Sequence, residues 1–237
     1  MRRQSDGVWC RRQGPFGPGR SRVREVIALL LWAGAAAVGA GGQTGLADYE
    51  EARRVFWSRL YAEGGETLYC GRRFDGPGGS GINVEHVFPM SWVTRALDCG
   101  SRQQCRLDSE RFRRIEADLH NLWPARTDVN DARGAFAFGE VRGEIWPFRG
   151  CDFEVDERRR VVEPRPASRG EIARSMFYMS QEYGLRVFPR QGRELQAWHR
   201  EDPPSDWERR RNDLIQQIQG NRNRFIDDPG LADRLRF

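Results

Sequence analysis

Glu85 and His86 stand side by side in the stretch "GINVEHVFPMSW", and His86 is one of only three histidines in the 237-residue chain, with His120 and His199. A neutral imidazole, with an ordinary pKa near 6.5, suits a base working at neutral pH. A carboxylate suits a hard cation. Hydrolysis of an unactivated phosphodiester is one chemistry that would use both: it needs a base to activate water, a cation to stabilise charge on the phosphate, and often a metal to assist the leaving oxygen. His86, Arg102 and Glu85 supply these parts if the chain brings them together. Neighbours on a regular strand point to opposite faces, so the pair converges only where the strand bends, as is expected just before Pro89. A Glu-His pair at a strand end also serves as a simple hydrogen-bonding pair, and the two residues alone do not decide between these readings.

The elements that must position them are legible in part. "LADYEEARRVFWSRLYAEG" from Leu46 carries apolar residues at helical spacing, among them Val55, Leu60 and Tyr61, and predicts a first helix. Glycines and Pro77 mark a loop around a short strand expected near Thr67 to Cys70. "INVEHVF" has the content of a strand, and residues 93–111 read as a long irregular excursion, which in a compact domain is functional or disulfide-tied. "FRRIEADLHNLWP" places Phe112, Ile115, Leu119 and Leu122 at spacings of three and four, predicting a helix that Pro124 ends. "FEVDERRRVVEP" alternates like a hairpin with "DERRR" at its turn. Ser168 with Glu171 and Ser205 with Glu208 match the capping-box pattern. They would open helices buried through Ile172, Met176, Met179 and Tyr183, and through Trp207, Leu214, Ile215 and Ile218.

The formal net charge is +5. Arg2, Arg3, Arg11, Arg12, Arg20, Arg22 and Arg24 against Asp6 and Glu25 account for all of it within the first 40 residues, so bulk charge does not point to a polyanionic partner. No lysine occurs; every cationic side chain is an arginine, which pairs bidentately with phosphate. That arginine-rich start, the apolar run from Val26 to Ala40 and the small residues Val38-Gly39-Ala40 predict a secretory signal peptide over residues 1–40, with one catalytic domain over residues 41–237. A retained anchor is the alternative, although the run is shorter than the roughly 20 residues of a membrane span. Export favours disulfides. Cys70, Cys99, Cys105 and Cys151 permit three pairings, of which Cys99 with Cys105 and Cys70 with Cys151 is favoured; a structural zinc site competes but lacks a close Cys-x-x-Cys pair.

"NVEHVFPMSW", "CGSRQQC", "IEADLHNLWPARTDVNDARGAF", "RGEIARSMFYM" and "WERRRNDLIQQIQGNRNRF" together resemble, in order, the endonuclease I family of periplasmic and secreted bacterial nucleases. The resemblance implies an α+β fold with a ββα-metal core, two strands and a helix around one divalent ion, with further helices outside. It implies that His86 is the general base, that Glu85 and Asn121 bind the metal, and that Arg102 stabilises the pentacovalent phosphate. One carboxylate and one amide fit magnesium, with manganese or calcium as substitutes.

His120, beside Asn121, reads as a structural support and His199 as a surface residue; Arg126, Arg133, Arg222 and Arg224 are either backbone contacts or solvated cations. Two departures from the family stand out: an arginine (Arg72 or Arg73) where members often carry another cysteine, and a short glycine-rich link from Cys70 to Glu85. The expected protein is a monomeric periplasmic or secreted endonuclease acting on DNA and RNA through the phosphate backbone, free of the membrane after signal cleavage. The rivals are a catalytically silent nucleic-acid-binding protein of the same fold and a phosphoesterase of small substrates.

Overall fold

The computed structural model describes residues 42–143 and 145–237, so the expected signal peptide lies outside the described residues. Helix α1 (Tyr49–Val55) is capped by Asp48, whose side chain accepts from the Glu51 amide, and runs on as a π-helical turn, Phe56–Leu60. Instead of the strand expected at Thr67 to Cys70, those residues form the turn between two-residue strands β1 (Gly65–Glu66) and β2 (Arg73–Phe74), and the Leu68 amide donates to the Pro124 carbonyl at 2.8 Å. Strand β3 (Ile82–His86) follows and pairs antiparallel with β4 (Leu122–Arg126), with Glu85 opposite Trp123 and His86 opposite Leu122.

Between these paired strands lies the segment read as irregular. It is three short helices: α2 (Met90–Leu97), α3 (Arg102–Asp108) and α4 (Glu110–Glu116). Their apolar periodicity is weak because α3 buries only Cys105, and local chemistry makes up for it. Ser101 and Gln104 form a capping box at α3, Ser109 caps α4, and the Cys99–Cys105 disulfide closes the corner between α2 and α3. The helix expected through "FRRIEADLHNLWP" stops at Glu116. Asp118 breaks it by accepting the His120 amide at the head of a 3-10 turn, Leu119–Asn121, and Pro124 lies inside β4 instead of ending a helix.

Helix α5 (Thr127–Arg133) leaves directly from β4. Strand β5 (Ala137–Phe138) pairs parallel with β7 (Val161–Pro164), which forms the expected hairpin with β6 (Phe153–Asp156). Four more helices follow: α6 (Arg169–Tyr183), α7 (Pro189–Glu201), α8 (Asp206–Gln219) and α9 (Arg224–Asp227). Ile172, Met176, Met179 and Tyr183 are buried as the stripe on α6 requires; on α8 Ile215 is buried, whereas Trp207 is 39% exposed. The Ser205 capping box is present. Ser168 makes none, because its hydroxyl donates to the Arg165 carbonyl in a 3-10 turn that precedes α6.

The β3–β4 ladder separates two hydrophobic clusters. Ile82, Val84 and Leu122 face one, with Phe56 and Tyr61; Val87, Trp123 and Ala125 face the other, with Val129 of α5 and the apolar stripe of α6. Period-two alternation therefore decides which cluster each residue of β3 meets. Cys70–Cys151 ties the β1–β2 turn to the approach to β6, so both favoured disulfides are present. The fold class is α+β. No helix among the described residues is long and apolar enough to cross a membrane.

Candidate active site

His86 ends β3 on the face that carries Ile82 and Val84, and it is 7% exposed. Its Nε2 lies 3.0 Å from the main-chain carbonyl oxygen of Glu116. A carbonyl oxygen only accepts, so Nε2 carries the proton and Nδ1 keeps its lone pair. Among the described residues Nδ1 has no hydrogen-bond partner, and it is not sealed from solvent as the corresponding atom of His120 is. Burial, and then the charge of Arg102, push the ring down to about 3, so it is held neutral. The Tyr49 ring rests against it with centroids 5.1 Å apart.

Glu116 does more than lend its carbonyl. Its carboxylate, on a side chain 1% exposed, accepts from Arg102 Nε at 2.5 Å and from Arg106 Nε and Nη2 at 2.8 and 2.9 Å. A carboxylate this buried requires a cationic partner. Here it has two, one turn apart on α3, with side chains 44% and 41% exposed. One residue at the end of α4 thus holds both the imidazole and the cations.

Glu85 points the other way, as strand alternation dictates. Its Oε1 accepts the Tyr69 hydroxyl at 2.6 Å and pairs with Arg133 Nη1 at 3.2 Å. Arg133, expected as a surface or backbone-contacting cation, is buried instead: it donates to the Val87 and His86 carbonyls and lies over the Phe138 ring. Burial nevertheless raises the Glu85 carboxyl above its ordinary value, against the pull of Arg133, the Tyr69 hydrogen bond and Arg102. Arg102 and Arg133 are both felt on the two sides of the ladder, by Glu85 and by His86. Glu85 and His86 therefore do not converge by a bend; they straddle the end of the β3–β4 ladder, and Arg102 faces that end.

Asn121 sits in the 3-10 turn, fully buried, with both ends of its carboxamide spent on the main chain of one residue: Oδ1 accepts the Phe88 amide at 2.6 Å and Nδ2 donates to the Phe88 carbonyl at 3.1 Å. It staples the exit of β3 to the entry of β4. Asn130 differs. It is three residues before Arg133 on α5, hence on the same helix face, and its Nδ2 donates at 2.8 Å to Asn83, which shares the Glu85 face of β3. No partner for its Oδ1 occurs among the described residues.

The other two histidines are occupied elsewhere. His120 gives Nε2 to the Asn221 carbonyl at 3.2 Å, and burial lowers it to about 4. His199, expected at the surface, is 4% exposed, with Nδ1 facing Arg174 Nη1 at 3.3 Å and Nε2 donating to the Pro229 carbonyl at 3.0 Å. Of the remaining cations, Arg126 is clamped by Asp128, Arg222 by Asp213 and Asp227, and Arg224 pairs with Glu182.

The profile of the Endonuclease I family matches residues 46–230. The chain belongs to the Endonuclease I family. Among its relatives an extracellular deoxyribonuclease of Aeromonas hydrophila is 37% identical over 194 residues, covering 72% of this chain and 84% of that protein. A periplasmic deoxyribonuclease of the same organism is 38% identical over 150 residues, 62% and 63% of the two chains. An extracellular ribonuclease of Bacillus subtilis is 35% identical over 136 residues, 50% and 46%.

In this Endonuclease I chain, sequence reasoning missed Glu116, Arg106, Tyr49, Tyr69 and Asn130. The signal for Asn130 was its place three residues before Arg133, but α5 itself had gone unread. Glu116 left no signal, because half of its contribution is a main-chain carbonyl.

Proposed function

We propose that this protein is an exported, monomeric endonuclease of the ββα-metal type that hydrolyses phosphodiester bonds in DNA and RNA without sequence preference. The observation that carries this reading is the His86 ring, fixed through Nε2 with an open Nδ1, beside guanidinium groups that a buried carboxylate holds in place. The scissile phosphate lies across the end of the β3–β4 ladder. His86 Nδ1 takes a proton from the water whose oxygen bonds to phosphorus as the bond from phosphorus to the departing sugar oxygen breaks. Arg102, whose Nη1 and Nη2 are unspent among the described residues, binds the non-bridging oxygens and stabilises the pentacovalent state. Tyr69 and Arg133 hold the Glu85 carboxylate in place.

The family implies a divalent ion, and the donors present fit one. No cluster of three or more His, Cys, Asp or Glu side chains suited to a metal occurs among the described residues, so soft or histidine-rich coordination is not on offer. What is on offer is the Glu85 carboxylate, incompletely compensated in its buried site, and a carboxamide oxygen, both hard donors that suit magnesium, with manganese or calcium as substitutes. We assign the amide ligand to Asn130 in place of Asn121, because the Asn121 amide is committed to Phe88. When bound, the ion would neutralise charge on the phosphate and the departing oxygen.

Backbone contacts without readout of base edges give cleavage without sequence preference, and relatives named as deoxyribonucleases and as ribonucleases support both substrates. Export rests on the leader in residues 1–40 and on relatives named extracellular or periplasmic. The test is cleavage of supercoiled plasmid and of RNA by the protein lacking residues 1–40, with and without EDTA. Cutting abolished by EDTA and restored by magnesium is the expected result. Plasmid left intact but still bound makes the protein a silent binder; turnover confined to a small aryl phosphodiester makes it a small-substrate phosphoesterase.

A further inference from the structure

We infer that Arg106 forms, next to Arg102, a second phosphate subsite that takes the backbone phosphate adjacent to the scissile one. The inference rests on the endonuclease reading and adds to it a residue and a substrate contact. Arg102 and Arg106 are four apart on α3, so they project from one face of the helix about 5–6 Å apart at Cβ, the scale of the step from one backbone phosphate to the next. Both guanidinium groups are clipped to the same Glu116 carboxylate, which fixes their direction and cancels only one of the two charges.

What remains faces outward. Arg106 spends Nε and Nη2 on Glu116 and keeps Nη1, and its side chain is 41% exposed. Tyr49 sets the orientation: the Arg102 and Arg106 guanidinium carbons lie 5.8 and 5.5 Å from its ring centroid, and the same ring rests on His86. Base, scissile-phosphate cation and neighbouring cation therefore share one aromatic floor. Besides Glu116, Glu50 is the carboxylate whose field reaches Arg106, and it is paired with Arg53 at 3.5 Å. A guanidinium needed only to neutralise Glu116 would be redundant beside Arg102, whereas two cations on one buried anion leave a surplus positive charge held rigidly at the entrance of the site.

Dinucleotides test this directly, because each contains a single cleavable phosphodiester and a terminal phosphate supplies the adjacent anion at a chosen end. The protein should cleave a dinucleotide carrying a phosphate at one end roughly tenfold faster in kcat/KM than the unphosphorylated form, the scale of one charge-assisted contact. In Arg106→Gln this ratio should fall to about one, and Arg106→Lys should retain part of it. Arg102→Gln should slow both substrates and keep the ratio. Plasmid binding in EDTA adds a readout without turnover: Arg106→Gln should lower the slope of log affinity against log salt by about one. A wild-type protein indifferent to a terminal phosphate at either end overturns the subsite without any variant, as does a folded Arg106→Gln that keeps the preference. Failure of the wild type to cut plasmid at all overturns the endonuclease reading and this subsite with it, and is distinguishable from either of those outcomes.

Discussion

The surroundings of His86 and His199 are built from the same parts. Each imidazole gives its Nε2 proton to a main-chain carbonyl, each has an arginine near it, and each of those arginines is gripped by a glutamate side chain at most 2% exposed. Around His199 every bond closes inward: Nδ1 meets Arg174, which is 1% exposed and donates to Glu208 at 2.8 and 2.6 Å and to the Asp202 carbonyl at 2.7 Å. Around His86 the donors exceed the acceptors, and the surplus, together with the free Nδ1, faces water. Residue types alone do not separate a site from a strut. Unspent hydrogen-bonding capacity open to solvent does, since the equally unpartnered Nδ1 of His120 is sealed.

Arg174→Ala attacks this contrast hardest. Removing one partner of a buried pair leaves an uncompensated charge, so unfolding in urea should show a loss of about 3–5 kcal/mol, with cleavage per folded molecule unchanged. His86→Ala should do the opposite. Turnover on plasmid should drop about 100-fold or more, the usual scale for losing a general base, while the melting temperature moves little; near-wild-type cutting would remove His86 from its role. His199→Ala, assayed alongside, should lose stability and keep turnover.

The two disulfides sharpen the comparison at a smaller scale. Cys70–Cys151 spans 81 residues and Cys99–Cys105 spans 6, so on loop-closure entropy removing the first should cost about 2 kcal/mol more than removing the second. Only the second adjoins Arg102, and its removal should depress turnover more than stability. Equal effects of the two on both readouts would contradict this division.

The smallest effect belongs to Glu171, at the edge of the Arg174 network. Burial, reinforced by Glu208 and Asp202 against Arg174 and Arg165, raises its carboxyl above the ordinary 4.5. The folded protein then holds a proton that the unfolded chain releases, so the stability this group contributes is present at acid pH and is lost as pH climbs from 4.5 through the raised value. Melting temperatures followed upward from pH 5 should decline less in Glu171→Gln than in the wild type; parallel curves would remove Glu171 as the cause.

Much of the framework was legible in the sequence. Strand β3, the β6–β7 hairpin and the apolar stripe of α6 follow from alternation and periodicity, and of three possible cysteine pairings the favoured one is present. What was not legible is the stretch between β3 and β4. Its helices are too short to show an apolar repeat, and caps and Arg–Glu contacts secure them. "FRRIEADLHNLWP" misled because Phe112 and Ile115 do lie on a helix, while Leu119 and Leu122 reach the core from a 3-10 turn and a strand at a spacing that imitates one. Asn121 was named as a ligand by the family resemblance, not by that helix. In the fold it is a buried staple, and α5, which carries Asn130, went unread.

Glu116 is a common mount. Its main-chain carbonyl accepts from the His86 ring and its carboxylate from Arg102 and Arg106, so the end of α4 touches all three side chains at once. Alignment of three side chains from β3 and α3 thereby depends on one residue of a third element.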